Sequence, residues 1–84
     1  MYYVRKKPVF ITPHVYNAMN AERLYVRVEQ VLETLTEPDK IIKESGVRHK
    51  TMKWFGDRTI IVYHDEWEDE IDVVGVSATR RKIV

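Results

Sequence analysis

His49 and His64 are the side chains best suited to moving protons near neutral pH, since an unperturbed imidazole titrates near pH 6.5. Around the first lies a basic run, Arg48, His49, Lys50, Lys53 and Arg58, with Trp54 and Phe55 interleaved. That composition pairs phosphates with stacked bases. A second basic segment, Thr79-Arg80-Arg81-Lys82, follows the last predicted strand, and Arg5-Lys6-Lys7 lies near the start. Two imidazoles on neighbouring strands can bind a metal, share acid and base roles, or be ordinary polar sheet residues. The local sequence offers no third ligand, which weighs against the metal. His14 follows Thr12-Pro13 at the first turn of a predicted helix, where it can aim at the sheet or be a hydrogen-bonded, partly buried histidine. The acidic stretch 65–72 lacks the glycine and ordered offsets of a calcium loop. It reads as a solvated hairpin tip, or as a device that repels nucleic acid from one end or meets a basic partner.

The net charge of +1 conceals a pattern. Residues 1–10, 45–58 and 80–82 each carry +3, residues 22–44 carry −2, and residues 65–72 carry −6. With no cysteine among 84 residues, cysteine nucleophiles, disulfides and thiolate zinc sites are excluded, and packing or oligomerisation must stabilise the fold. One domain spanning residues 1–84 is expected. No apolar run is long enough for a signal peptide or a spanning helix, so the reading is a cytoplasmic protein without membrane association.

The elements that must position these residues follow from periodicity. Thr12-Pro13 starts a helix predicted to run to about Glu22, with Val15, Ala18 and Met19 on one side. Val28, Val31, Leu32 and Leu35 predict a second helix over 25–36, ended by Pro38. A short strand around Ile41-Ile42 follows, then strands over 47–55, 58–65 and 70–78, with Gly56-Asp57 as a two-residue turn and 66–69 as a loop. Tyr2 to Val4 is a candidate edge strand. The expected class is α+β, two N-terminal helices packed on an antiparallel meander sheet of three to four strands.

Register then follows from the turns. Positions totalling 113 pair across the first hairpin, which sets His49 beside His64, and positions totalling 135 pair across the second. This predicts ladders Arg48–Asp65–Glu70 and Lys50–Tyr63–Asp72. It puts Met52, Trp54, Ile61, Val74 and Val76 on one face and Phe55, Ile60, Val62, Val73, Ile71, Gly75, His49, Lys53 and His64 on the other. Two short helices cover only one face. The second then needs a partner subunit, a ligand, or the segment with Tyr2, Tyr3, Val9 and Phe10.

Two N-terminal helices with the Thr12-x-His14 start, a second helix ended by Pro38, and a three-strand meander ending in Ser77-Ala78-Thr79-Arg80-Arg81 resemble the BrnT-type proteins of the RelE-like ribonuclease toxin superfamily. The chain is similar, more closely, to an uncharacterised cousin family of small BrnT-like proteins, through Phe10, Thr12, His14, Met19, Arg23, Pro38, Gly56 and Ile61-Val62-Tyr63. The resemblance spans about residues 9–81; the family arginine before Met19 is Ala18 here, and BrnT-type toxins continue into a further helix after the point matching Val84. It implies metal-independent RNA cleavage or RNA binding with no cofactor, and an antitoxin as partner in a toxin–antitoxin pair. By that resemblance Arg48 opens the meander, and Arg80 and Arg81 close it.

Two functions are therefore expected. In one, Arg48, Lys50, Lys53, Arg80 and Arg81 hold RNA phosphate while His49, His64 or Tyr63 transfers protons. In the other, a non-catalytic homo-oligomer uses the second sheet face as its interface. Nucleic-acid binding without cleavage is a third, smaller alternative.

Overall fold

The computed structural model describes residues 1–21 and 24–84. The expected end of the first helix at Glu22 and the motif residue Arg23 lie outside the described residues. Chain order is β1 (Tyr2–Val4), β2 (Lys7–Ile11), α1 (Pro13–Met19), α2 (Val28–Thr36), β3 (Lys40–Ser45), β4 (Arg48–Trp54), β5 (Thr59–Glu66) and β6 (Ile71–Thr79). The strands form one sheet in the order β1-β2-β6-β5-β4-β3.

This corrects the expected class. The sheet is mixed and has six strands, the helices follow two strands rather than opening the chain, and β2 pairs in parallel with β6. Two features hid β2. Its sequence Lys-Pro-Val-Phe-Ile begins with a charge and a proline, and its partner lies some 60 residues away, beyond the reach of hairpin arithmetic. The β1–β2 turn is concealed as well. Arg5 and Lys6 adopt φ of 51° and 66°, the left-handed pair of a type I′ turn that sequence normally announces with Asn-Gly.

The helices form for the reasons their sequences give. Thr12 Oγ1 accepts from Val15 N–H at 3.2 Å and Pro13 takes the first helical position. In α2 the Gln30 side chain reaches back to accept from Arg27 N–H at 3.1 Å, and Val31, Thr34 and Leu35 are buried. No glycine ends α2. Its orphan carbonyls are satisfied from outside, Leu35 O by Arg5 at 2.9 Å and Glu37 O by Lys53 Nζ at 2.9 Å.

Both helices lie on one face of the sheet. The core there joins Val15, Met19, Val26, Val31 and Leu35 to Val4, Val9, Ile60, Val62, Ile71 and Val73. The β4–β5 register is as the 113 rule predicts, and Gly56 turns with φ of 92°. The β5–β6 register is not. Pairs total 137 at the tip (Asp65↔Asp72) and 138 beyond the shift between Tyr63 and His64 (Tyr63↔Gly75, Val62↔Val76), leaving Val74 as a bulge. Trp67 N–H donates to Glu70 O at 2.9 Å, so the tip closes tightly around Glu68 and Asp69.

Consequently Asp65 faces Asp72 rather than Glu70, and Tyr63 faces Gly75 rather than Asp72, which removes the outer rungs of both predicted ladders. The odd offset beyond the bulge also reverses the faces of β6 from Gly75 onward, while Ile71 and Val73 keep the predicted side. Val76 and Ala78 pack on the helix-side core, while Gly75, Ser77 and Thr79 share the open face with Ile61 and Thr59. Val9 enters the core; Tyr2, Tyr3 and Phe10 remain exposed. No helix among the described residues is long and apolar enough to cross a membrane.

Candidate functional site

The covered face holds a polar cluster where the β1–β2 turn, the end of α2 and strands β3 to β5 meet. Thr51 and Val62 are cross-strand partners, as are His49 and His64, so Thr51, His49 and His64 point the same way as the core residue Val62. Strand pairing thus assembles a cleft of about 360 Å³ lined by Arg5, Leu35, Ile41, His49, Thr51, His64 and Glu66.

His64 is 2% exposed. Its Nε2 lies 2.7 Å from Thr51 Oγ1; its Nδ1 makes no hydrogen bond, although Glu66 Oε1 stands 3.4 Å away. A carboxylate can only accept, so the arrangement favours the proton on Nδ1 and a Thr51 hydroxyl that donates to Nε2. Burial, joined by the charges of His49 and Arg5, lowers the His64 pKa to about 4 against the opposing pull of Glu66 and Asp65. The ring is neutral at pH 7.

His49 stacks on His64 with centroids 5.5 Å apart and planes at 16°. Its Nδ1 lies 2.7 Å from Val47 O. A carbonyl can only accept, which places the proton on Nδ1 and leaves Nε2 with a free lone pair. His49 is half-buried, unlike His64.

Glu66 is held by Arg5 and, at 3.4 Å, by Lys7 Nζ. Arg5 donates one nitrogen to Leu35 O and another to Glu66, but a guanidinium carries five N–H donors and this side chain is half-exposed. Lys43 is the β3 residue opposite His49, and it is exposed beside the same cleft. The cleft therefore sets two stacked imidazoles beside one guanidinium and one carboxylate, with Lys43 exposed next to it.

The other expected site residues are scattered. Tyr63 lies on the opposite face, its ring against Gly75, whose added Cβ would meet Tyr63 Cδ2 at 3.5 Å, and 5.8 Å from Lys50 Nζ. Arg48 is paired with Asp65. Lys53 faces α2 and is tied to Glu37 O and, at 3.9 Å, to Glu33. Arg80 and Arg81 follow β6 beside Thr59 and Thr79, at the end of the sheet away from Arg48, roughly 20 Å along the six-residue step of β4. The five predicted phosphate ligands thus occupy two faces and two ends. Arg58 is spent on Leu24 O, Tyr25 O and Gln30. His14 is exposed on α1.

Arg5, Lys43, Thr51 and Glu66 were not among the expected site residues. The 113 register would have found Thr51 two positions from His49; Arg5 needed the unrecognised β1–β2 turn. Among the described residues no group of three His, Asp or Glu is arranged to hold a metal. Comparison with family models, with curated proteins and with solved structures returned no match. The likeness to BrnT-type toxins therefore rests on the short motifs alone.

Proposed function

We propose that the His49 cleft is a metal-independent acid–base site acting on RNA. The observation that carries the reading is the stacking of half-buried His49 on buried His64 in a cleft that also holds Arg5. His49 Nε2, its lone pair free because Nδ1 is engaged by Val47 O, takes the ribose 2′-hydroxyl proton. The 2′-oxygen attacks the adjacent phosphorus, the P–O5′ bond breaks, and the leaving oxygen takes a proton from water, giving a 2′,3′-cyclic phosphate. Remaining N–H donors of Arg5, with Lys43, stabilise the charge that develops on the phosphoryl oxygens. His64, fixed by Thr51, keeps the His49 ring in plane and is a positioning residue.

The test is cleavage of a labelled RNA oligonucleotide in the presence of a chelator, beside the same oligonucleotide with one 2′-deoxy sugar. Cleavage that stops at the deoxy position and falls 10²-fold or more in His49→Ala supports the site. Equal cleavage by wild type and His49→Ala, or none by either, removes it. Far-ultraviolet circular dichroism of the variant separates loss of chemistry from loss of fold.

A further inference from the structure

The open face of the sheet carries charge at both ends: an acidic cluster where the central strands β5 and β6 turn, of which only Asp65 is ion-paired there, by Arg48, and a basic one at the other end, toward β3. At the acidic end Asp72 lies opposite both Phe10 and Asp65 and accepts from Trp67 Nε1 at 3.1 Å. Glu68 and Asp69 form the adjoining tip, and none of Glu68, Asp69, Glu70 and Asp72 has an ion pair among the described residues. Crowding is direct: the hydrogen bond to Asp72, with the nearby charges of Asp72 and Asp69, raises the Glu70 pKa. Exposed Phe10, Trp67 and Val74 border these carboxylates.

The opposite end is basic. Lys40 pairs with Met52, Lys82 and Trp54 line one cleft, and Thr59 Oγ1 donates to Arg81 O at 2.7 Å, which draws the segment after β6 across the sheet. Lys40, Arg80, Arg81 and Lys82 are exposed and make no ion pair among the described residues. The nearby carboxylate of Asp39 is committed to Trp54 N–H at 2.8 Å. Between the two ends run Met52, Ile61, Tyr63 and Gly75.

We propose that a second copy of this chain covers the open face in an isologous dimer, the end holding Lys40 and Lys82 of each copy lying on Glu68, Glu70 and Asp72 of the other. A two-fold axis in the plane of the face, midway between the two clusters, exchanges them, so one contact is made twice. Both unneutralised clusters are then satisfied together, with aromatic side chains buried between them. The two longest Cα extents of the molecule, 32 × 25 Å, outline ~800 Å², the order of area a standard interface takes from each partner. The His49 cleft lies on the other face and stays open, so this proposal stands or falls independently of the one above.

Sedimentation across a concentration series tests it, with two charge-reversed variants at exposed positions: Lys40→Glu/Lys82→Glu and Glu68→Lys/Glu70→Lys. Wild type is expected to rise from 10.0 kDa toward twice that mass and to fall back with added salt. Each variant alone is expected to dissociate at least tenfold more readily, and a mixture of the two to regain the dimer, because one copy then presents two acidic ends and the other two basic ones. A monomer at every concentration overturns the proposal, as does a dimer indifferent to both variants. A monomer that instead forms a salt-sensitive complex with single-stranded RNA, lost in Lys40→Glu/Lys82→Glu, overturns it in favour of a nucleic-acid face. Circular dichroism checks that both variants fold.

Discussion

The two faces of the sheet use similar side chains differently. On the covered face Ile60, Val62, Ile71 and Val73 have helices above them and reach zero exposure, and the polar residues that join them are held by specific partners: His64 by Thr51, Lys53 by Glu37 O, Arg5 by Leu35 O. On the open face Met52 and Ile61 are shielded with no helix over them, and charges gather at the rim, where among the described residues Arg48 pairs with Asp65 while Glu68, Asp69, Glu70, Asp72, Lys40 and Lys82 make no ion pair. Covering a polar group forces it to find a hydrogen bond, because an unsatisfied one costs ~1–3 kcal/mol. Leaving a face open removes that demand and lets charge patterning set what approaches.

The sharpest way to break this contrast is to truncate neighbouring isoleucines that point to opposite faces. Ile60→Ala is expected to cost ~3–4 kcal/mol in urea unfolding and Ile61→Ala about half as much, because the open-face side chains can relax into the gap. Equal losses would mean the two faces are equally closed. Next in size is acid sensitivity from His64. Its folded pKa is about 4 and its unfolded one near 6.5, so between these values the unfolded chain binds the extra proton. Stability is full above pH 6.5 and is lost as pH falls toward 4, by about 3 kcal/mol in all. Urea midpoints at pH 7, 6 and 5 measure it; the slope should flatten in His64→Leu, and a flat wild-type profile would mean that the imidazole is not buried neutral.

Smaller effects probe the border between the faces. Lys6 spends left-handed backbone strain in the β1–β2 turn, and its side chain makes no hydrogen bond among the described residues, so Lys6→Gly should raise the thermal midpoint, by the equivalent of ~1 kcal/mol. Smallest of all is deletion of Val74. Val73 and Val76 already face the core on either side of the bulge, so its removal should cost less than ~1 kcal/mol and leave the aromatic circular dichroism unchanged. A large loss would show that the bulge sets the twist on which the open face depends.

What the sequence made legible was local. The α2 stripe, the Gly56 turn and the register that brings His49 to His64 all depend on residues near one another in the chain, where period and turn chemistry suffice. The remainder depended on events with no local signature: a parallel pairing across the length of the chain, a turn made by Arg5 and Lys6 instead of glycine, and one bulged residue that reversed β6. For the site, the imidazole pair was legible while its setting was not. Arg5 and Glu66 are 61 positions apart and meet only through that unforeseen turn. The phosphate ligands were chosen by charge alone, and pairing parity distributed Lys50 and Lys53 to opposite faces.

The position of β6 also sets an order of events during synthesis. It is the last strand in the chain, yet it lies between β2 and β5. While the polypeptide emerges, β3, β4 and β5 can zip together as soon as they are made, whereas the β1–β2 hairpin can touch α2 but has no strand to pair with β2 until residues 71–79 appear. Two bare strand edges wait for one late arrival. A nascent chain stalled before β6 is therefore the form most open to misassembly, and the step that closes the gap is the one most sensitive to chaperones and to translation speed.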